Sequence, residues 1–212
     1  MDLERAEAIA LRTQPVTESS LIVTWFTREF GKLKTMAKGA RRAKSPFRGK
    51  IDLFYLDEIV FLRSRRSDLH LLHDCFLENP HATLRESVRS LVAASYAAEL
   101  VEIATEPEDA NSKMFQLLHD LLGALERRGT DAMLIWFELK LLEAAGWKPK
   151  WSGSGSASRL LESLAATSLA GVGRVRLSSA QVAVARETVW LFWDTHIGKS
   201  PKSRKLLLQD SV

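Results

Sequence analysis

Residues 20–42 read SLIVTWFTREFGKLKTMAKGARR, and this stretch carries the clearest fold signal in the chain. Residues 20–27 are rich in β-branched and aromatic side chains, which pleated strands prefer. Gly31 marks a tight turn, and residues 32–37 then alternate charged and apolar side chains, as a strand with one buried face does. The stretch therefore predicts two strands joined by a short turn, with residues 38–40 as the strand exit.

Three further strands are predicted on either side of this pair. Residues 7–12 form a short candidate strand that ends before the turn-prone Gln14-Pro15. Residues 52–62 form a long apolar candidate, and residues 69–77 return after the polar hairpin connection at residues 63–68. Five short strands in about 80 residues are typical of a small closed or partly open barrel.

Beyond Pro80 the hydrophobic period becomes helical. Thr83 and Glu86 form a capping-box pattern, which predicts a helix from there to about residue 104. Further helices are predicted at residues 111–128, 131–145, 159–166, 178–193 and 202–209. The sequence thus predicts an α+β chain of two domains, a β domain at residues 1–80 and an all-α domain at residues 81–212. An irregular lobe is expected in the second domain at about residues 147–177, around the flexible stretch SGSGS.

The composition is that of an ordinary globular protein. Of 212 residues, 46% are hydrophobic and 26% are charged. The first residues carry acids and no long apolar run, so we expect neither a signal peptide nor a membrane span. The single cysteine, Cys75, rules out an internal disulfide and a Cys-rich zinc site, and the cytoplasm is the expected compartment.

Positive charge is concentrated in residues 28–50, where one acid, Glu29, faces nine basic residues. The basic residues are Arg28, Lys32, Lys34, Lys38, Arg41, Arg42, Lys44, Arg48 and Lys50. Such a concentration predicts a polyanionic partner such as nucleic acid, since phosphate binding releases counterions. A solvated basic loop without a specific partner is the alternative. Interspersed apolar residues, Phe47 among them, indicate that part of the segment packs against a core.

Seven of these cations are the predicted phosphate contacts. They are Lys32, Lys34, Lys38, Arg41, Arg42, Lys44 and Arg48. Phe47 and Tyr55 are candidates for base stacking, although a core position suits either ring better.

Several segments resemble those of the RecO family of bacterial recombination mediators. They are AIALR at residues 8–12, ESSLIV at 18–23, TREFGK at 27–32 and AKGARR at 37–42. Weaker matches follow at 141–149 (LLEAAGWKP), 196–198 (HIG) and 202–204 (KSR). The resemblance covers nearly the whole chain in family order.

This resemblance implies an N-terminal OB-type barrel of five strands and a helical C-terminal domain. It also implies a non-enzymatic protein that binds single- and double-stranded DNA, anneals complementary strands and is associated with the nucleoid. Its implied partners are RecR and single-strand-binding protein, and through them RecA is loaded at gaps and breaks. The DNA-binding role carries over onto Lys38, Arg41 and Arg42, which lie in the AKGxRR-like segment.

The chain departs from many members of that family at one place. A four-cysteine zinc site commonly follows the segment that corresponds to residues 146–149, but here the sequence continues KWSGSGSASRLL. Thiolate ligands are missing there, so no zinc and no other cofactor is expected.

Two tryptophans in the same region form a second candidate site. Trp147 and Trp151 alternate with Lys148 and Lys150. In the family, single-strand-binding protein offers an acidic tail that ends in an aromatic residue, and this patch suits such a peptide. Alternatively, the two rings simply seal the lobe.

Two other functions are alternatives to a non-enzymatic DNA-binding protein. A metal-dependent nuclease needs carboxylates near the basic groove, where the basic segment contains only Glu29. A protein-interaction scaffold would instead use the acidic middle of the chain, residues 78–146, and touch DNA only incidentally.

Overall fold

The computed structural model describes residues 3–147, 149, 151 and 155–209. The chain divides into two compact units. The first comprises Met1–Ala82 and Thr105–His119, and the second comprises Thr83–Ala104 and Asp120–Val212. Within the described ranges, no helix has both the length and the apolar composition needed to cross a lipid bilayer.

The first unit is built on a closed barrel of five strands. These are β1 (Leu3–Pro15), β2 (Leu21–Thr27), β3 (Gly31–Ala37), β4 (Leu56–Leu62) and β5 (Leu69–Asn79). They close in the order β1-β2-β3-β5-β4. Every pairing is antiparallel except the short parallel one between β3 and β5, which joins residues 34–36 to residues 69–71. The predicted five-stranded, OB-type barrel is confirmed.

Alternate side chains of each strand fill the barrel. Small residues on β1 share the interior with large ones from the other strands, because a small barrel has room for only a few bulky groups. The interior includes Ala6, Ala8, Ala10, Val23, Trp25, Leu33, Ile59, Phe61, Leu72 and Cys75. The Trp25 Nε1–H donates to Thr35 Oγ1 at 2.8 Å, so the one polar edge of the indole is satisfied inside the core.

Strand lengths differ from those predicted. β1 and β5 are longer than the sequence pattern indicated, and β4 begins at Leu56 instead of residue 52. Phe54 explains the late start, because its φ of 66° is incompatible with extended backbone. Its N–H instead donates to the Ala10 carbonyl oxygen at 2.8 Å, and its ring is buried.

Residues 105–119 return to the barrel after the first long helix of the chain. Pro107 forms an isolated parallel β-bridge with Lys32, near the start of β3. The part of β3 that pairs with β5, residues 34–36, comes after Lys32. The Glu108 N–H donates to the Lys32 carbonyl oxygen at 2.8 Å. At Gly31, φ is 66° and an added Cβ would lie 2.0 Å from the Asp109 carbonyl oxygen. Only glycine therefore allows this close approach.

The second unit consists of helices, and the helix that begins at Ser112 starts in the first unit and ends in the second. They are α1 (Val88–Ala104), α2 (Ser112–Arg128), α3 (Asp131–Ala144), α4 (Ser156–Ala166), α5 (Leu169–Val172), α6 (Ser179–Ile197) and α7 (Arg204–Gln209). The predicted helical C-terminal region is confirmed. α3 is central, since buried residues occur all around it, as its wide apolar arc predicted.

The two predicted capping boxes have opposite outcomes. The one at Ser178 is confirmed: its hydroxyl accepts from the Gln181 N–H, and the Gln181 side chain accepts from the Ser178 N–H. The one at Thr83 is wrong, because residues 82–86 form a 3-10 turn and the α-helix begins only at Val88. The Thr83 hydroxyl donates to Glu126 Oε1 at 2.9 Å and is not an N-cap.

Candidate nucleic-acid interface

The outer face of β3 carries two of the predicted DNA-binding lysines. Because side chains alternate along a strand, Leu33 and Thr35 are buried while Lys32, Lys34 and Met36 point outward. Lys34 is exposed. Lys32 is half-buried, and its Nζ donates to the Thr105 carbonyl oxygen at 2.5 Å, so it holds the returning segment to the barrel. The structure therefore separates Lys32 from the other predicted contacts.

Residues 38–50 leave β3 as a succession of turns that is anchored on the barrel. Phe47 is buried in the barrel core, and Ala40 and Ile51 pack against the same core. The Phe47 ring thus has the core position that the sequence favoured. Tyr55, the other stacking candidate, is half-buried. Since three apolar side chains hold the segment, its cations project from an ordered path.

Five cations of this segment are exposed, namely Lys38, Arg41, Arg42, Lys44 and Arg48. The Arg41 N–H donates to the Ser19 carbonyl oxygen at 3.0 Å, and its Nη1 donates to the Thr17 carbonyl oxygen at 3.2 Å. Arg48 Nη1 donates to the Ala43 carbonyl oxygen at 3.0 Å. Among the described residues, no carboxylate forms a salt bridge with any of the five or with Lys34. Their charge is available to a ligand.

Two clefts meet at Met36 and Lys38, which line both of them. The first cleft, of about 400 Å³, lies between the β1–β2 turn at Thr17 and the segment that carries Gly39 and Arg42. The second, of about 720 Å³, lies between β3 and the β4–β5 hairpin. Together they form one groove across the place where β3 ends.

The hairpin brings to this groove arginines for which the sequence pattern indicated only a polar connection. Arg65 and Arg66 are exposed and line the second cleft, as does Arg63. The run RSRR could have been noted as a second cationic cluster. Its closeness to Lys38, however, depends on the parallel pairing of β3 with β5, which joins distant parts of the chain.

Arg63 has a structural role. Its Nε and Nη2 donate to the Glu4 carboxylate at 2.7 and 2.9 Å, and its Nη1 contacts Glu108 Oε2. These hydrogen bonds, the one to Glu4 foremost, raise the pKa of Arg63, and the guanidinium lowers the pKa of Glu4. The guanidinium also lies 5.1 Å from the centre of the Phe30 ring.

His70 fixes the other side of the same hairpin. It is buried, its ring stacks on Phe61 with centroids 5.4 Å apart, and its Nδ1 accepts from the Ser64 N–H at 3.2 Å. Its Nε2 lies 3.2 Å from Glu108 Oε1. Glu108 thus faces both Arg63 and His70, so the returning segment supports the hairpin that displays Arg65 and Arg66.

In the helical unit, the predicted tryptophans lie in an aromatic cluster. The Trp147 ring is 6.1 Å from Phe192 and 5.1 Å from His196, and Trp151 is 5.9 Å from Phe192. Phe192 and His196 stack at 4.0 Å. Trp147 keeps 37% of its surface exposed. Lys148 and Lys150, which complete the predicted patch, lie outside the described residues.

Cys75 and Asp57 are neighbouring buried titratable groups. Cys75 lies in the barrel core, where burial and the neighbouring Asp57 raise the pKa of its thiol. Burial raises the pKa of Asp57 to about 7, and the Cys75 thiol offsets this only in part. In the part of the chain that the structure describes, no group of three or more His, Cys, Asp or Glu side chains could hold a metal ion.

Comparison with known proteins gives matches to both halves of the chain. The family model described as Recombination protein O N terminal matches residues 1–80, and the one described as Recombination protein O C terminal matches residues 85–156.

Individual relatives agree with these two matches. Proteins named DNA repair protein RecO are 32% identical over 146 residues in Syntrophus aciditrophicus, 32% over 143 in Rhodopirellula baltica and 34% over 149 in Pelotomaculum thermopropionicum. The alignments cover 68%, 67% and 70% of this chain, but 56%, 53% and 57% of the relatives. The chain therefore spans little more than half the length of these relatives. With both domain models matched in order and the OB-type barrel and helical region in place, the chain belongs to the RecO family.

Proposed function

We propose that this chain is a non-enzymatic DNA-binding mediator of recombinational repair. In this proposal it binds single- and double-stranded DNA, anneals complementary strands and helps to load RecA onto DNA coated by single-strand-binding protein. The barrel unit holds the nucleic acid, and the helical unit serves protein partners. Membership of the RecO family supports this general role.

The observation that carries the proposal is the groove across the end of β3. Its edges present Lys38, Arg42, Arg65 and Arg66, all exposed and without a carboxylate partner among the described residues. Lys34, Arg41, Lys44 and Arg48 extend the same charge beyond the groove. Cations on a rigid β scaffold attract a polyanion and gain free energy from the counterions that it releases.

The composition of the groove also favours binding over cleavage. The described residues that line the two clefts include no carboxylate. Glu29, the acid within the basic segment, accepts a hydrogen bond from the Glu7 N–H at 3.1 Å. A nuclease that positions Mg²⁺ needs carboxylate oxygens beside the phosphate, and the groove residues supply none. Cleavage of labelled DNA on addition of Mg²⁺ would contradict the proposal.

The partners in this proposal are RecR, single-strand-binding protein and, indirectly, RecA. For the acidic tail of single-strand-binding protein, the candidate surface is the cluster of Trp147, Trp151 and Phe192, together with Lys148 and Lys150, which neighbour the two tryptophans in the sequence. The partial exposure of Trp147 supports this choice, since an aromatic peptide end can pack on its free edge. Binding of an acidic peptide that ends in phenylalanine should weaken at least fivefold in a Trp147→Ala variant.

Salt dependence of oligonucleotide binding tests the DNA-binding role. Six to ten phosphate contacts make affinity fall by roughly 10³ to 10⁵ between about 50 and 200 mM salt. An Arg41→Ala/Arg42→Ala variant should lower the salt slope by about one to two units. Arg159→Ala/Arg174→Ala is the matched control, because it removes two exposed arginines from the helical unit and should leave the slope unchanged.

Strand annealing tests the mediator role. Complementary strands coated with single-strand-binding protein should anneal faster with the wild-type chain than with the Arg41→Ala/Arg42→Ala variant. Retained binding to partner proteins without measurable oligonucleotide affinity at low salt would instead favour a protein-interaction scaffold.

A further inference from the structure

The floor of the groove differs in chemistry from its edges. In the second cleft the floor consists of half-buried aliphatic side chains, those of Met36, Leu62, Leu69 and Leu71, and Met36 also lines the first cleft. The cations stand around this floor. Such a surface attracts phosphates, and between its cations the lining is mainly aliphatic in the second cleft and carries the small hydroxyl side chains of Thr17, Ser19 and Ser20 in the first.

The aromatic residues of the barrel unit lie elsewhere. Trp25, Phe26, Phe47, Phe54, Phe61 and Phe115 are buried. Neither Tyr55 nor Phe30 lines a cleft, and the Phe30 ring packs edge-on against Phe61 and beside Arg63. Phe76, on β5, is 44% exposed, and the Lys50 ammonium lies 5.6 Å from the centre of its ring. Phe76 also lines neither cleft.

One ring does reach the groove. His70 lines the second cleft, yet it is only 2% exposed and one face is covered by Phe61. It therefore presents no free face on which a base could stack. Among the described residues that line the clefts, none offers an open aromatic platform.

We propose that the groove holds a DNA strand by its sugar–phosphate backbone and leaves the bases directed to solvent. This inference rests on the proposed DNA-binding function and specifies its mode. Proteins that stack bases on aromatic side chains gain much of their affinity from those bases and cover their faces. Here the phosphates contact the cations and the deoxyriboses lie over the aliphatic floor. The Watson–Crick edges of a bound strand stay free to pair, as annealing without release of the strand requires.

An abasic oligonucleotide tests this mode with the full chain. A 20-nucleotide phosphodiester strand whose sugars carry no bases should bind within fivefold of oligothymidylate of equal length, with the same salt slope, at about 50 mM salt. Abasic binding that is more than fivefold weaker would overturn the backbone-only mode while leaving the DNA-binding function intact. Failure of both strands to bind would overturn the proposed function and this inference with it.

Chemical reactivity of the bound bases gives a second, independent readout. Permanganate oxidises thymines whose faces are exposed and unstacked. In a saturated complex with oligothymidylate, the thymines should react within twofold of the rate in the free strand. Protection by more than fivefold would show that the bases are covered and would overturn the inference.

Discussion

Arg41 Nη1 donates to the carbonyl oxygen of Thr17 at 3.2 Å, which joins the basic segment to the β1–β2 turn. A backbone hydrogen bond from Arg41 to Ser19 reinforces the contact. The side chain therefore combines two roles, since one guanidinium nitrogen positions the segment and the remaining donors face solvent. The neighbouring Arg42 lines the first cleft. The two consecutive arginines therefore differ in role, since Arg41 anchors the segment and Arg42 lines the cleft.

Substitution of Phe47 should separate positioning from charge. Phe47→Ala removes a buried ring from the barrel core and should lower the free energy of unfolding by about 3 kcal/mol or more. It should also weaken oligonucleotide binding, although no charge is lost, because residues 38–50 lose their anchor. Chemical denaturation and oligonucleotide titration measure the two effects. Phe47→Leu, the control, keeps most of the apolar volume and should retain both properties; unchanged affinity in Phe47→Ala would show that the anchor does not position the cations.

The hairpin arginines should matter as much as those of the basic segment. An Arg65→Ala/Arg66→Ala variant should lower the salt slope of single-strand binding by about one to two units. The reason is that both side chains line the second cleft and face solvent. The Arg159→Ala/Arg174→Ala variant again serves as control. A slope equal to the wild-type value would remove the hairpin from the proposed interface.

Gly31 and Gly49 allow a matched test of the returning segment. Both have positive φ, 66° and 73°, so alanine costs roughly 1 kcal/mol at either position for backbone reasons. Only at Gly31 would the new Cβ lie 2.0 Å from the Asp109 carbonyl oxygen, whereas nothing lies within 4 Å at Gly49. Thermal or urea unfolding should therefore show a clearly larger loss for Gly31→Ala than for Gly49→Ala. Equal losses would mean that residues 105–111 shift to make room for the new Cβ with little loss of stability.

The buried carboxyl of Glu138 should make stability depend on pH. Burial raises its pKa to about 7, while the hydrogen bond from the Tyr96 hydroxyl at 2.7 Å partly opposes this. Because the folded state holds the proton more tightly than the unfolded state, this stabilisation is complete below about pH 4.5. It is lost as the pH rises through about 7. The loss amounts to roughly 3 kcal/mol.

A Glu138→Gln variant checks this dependence. Its free energy of unfolding, measured in urea at pH 5 and pH 8, should fall less with pH than that of the wild type. Glu162→Gln, a substitution at an exposed site, should behave like the wild type. Some decline should remain in every variant, because burial also raises the pKa of Asp57 to about 7. Parallel curves for wild type and Glu138→Gln would contradict the assignment.

Much of the fold could be predicted because its signals are local. Alternating side chains on β3, the turn at Gly31 and the cap at Ser178 each act within a few residues. Predictions were less accurate where distant groups compete for the same atoms. Phe54 leaves the extended conformation to bond with Ala10, and the Thr83 hydroxyl bonds to Glu126 instead of capping a helix.

The candidate site shows the same division. The cations at residues 34–48 were predicted from charge concentration, and the core position of Phe47 was the favoured alternative. The hydrogen bond from Lys32 to the Thr105 carbonyl oxygen could not be predicted, since it depends on a segment about 70 residues away that returns to the barrel.

By itself, the amino-acid sequence determined a five-stranded barrel, a helical region and a basic segment with apolar anchors, because periodicity and composition report on neighbouring residues. Only the tertiary structure decided that Lys38 shares a groove with Arg65 and Arg66 and that none of the described residues lining this groove offers an open aromatic face. The physical reason is the parallel pairing of β3 with β5. This pairing joins strands about 35 residues apart, and no local pattern encodes such a contact.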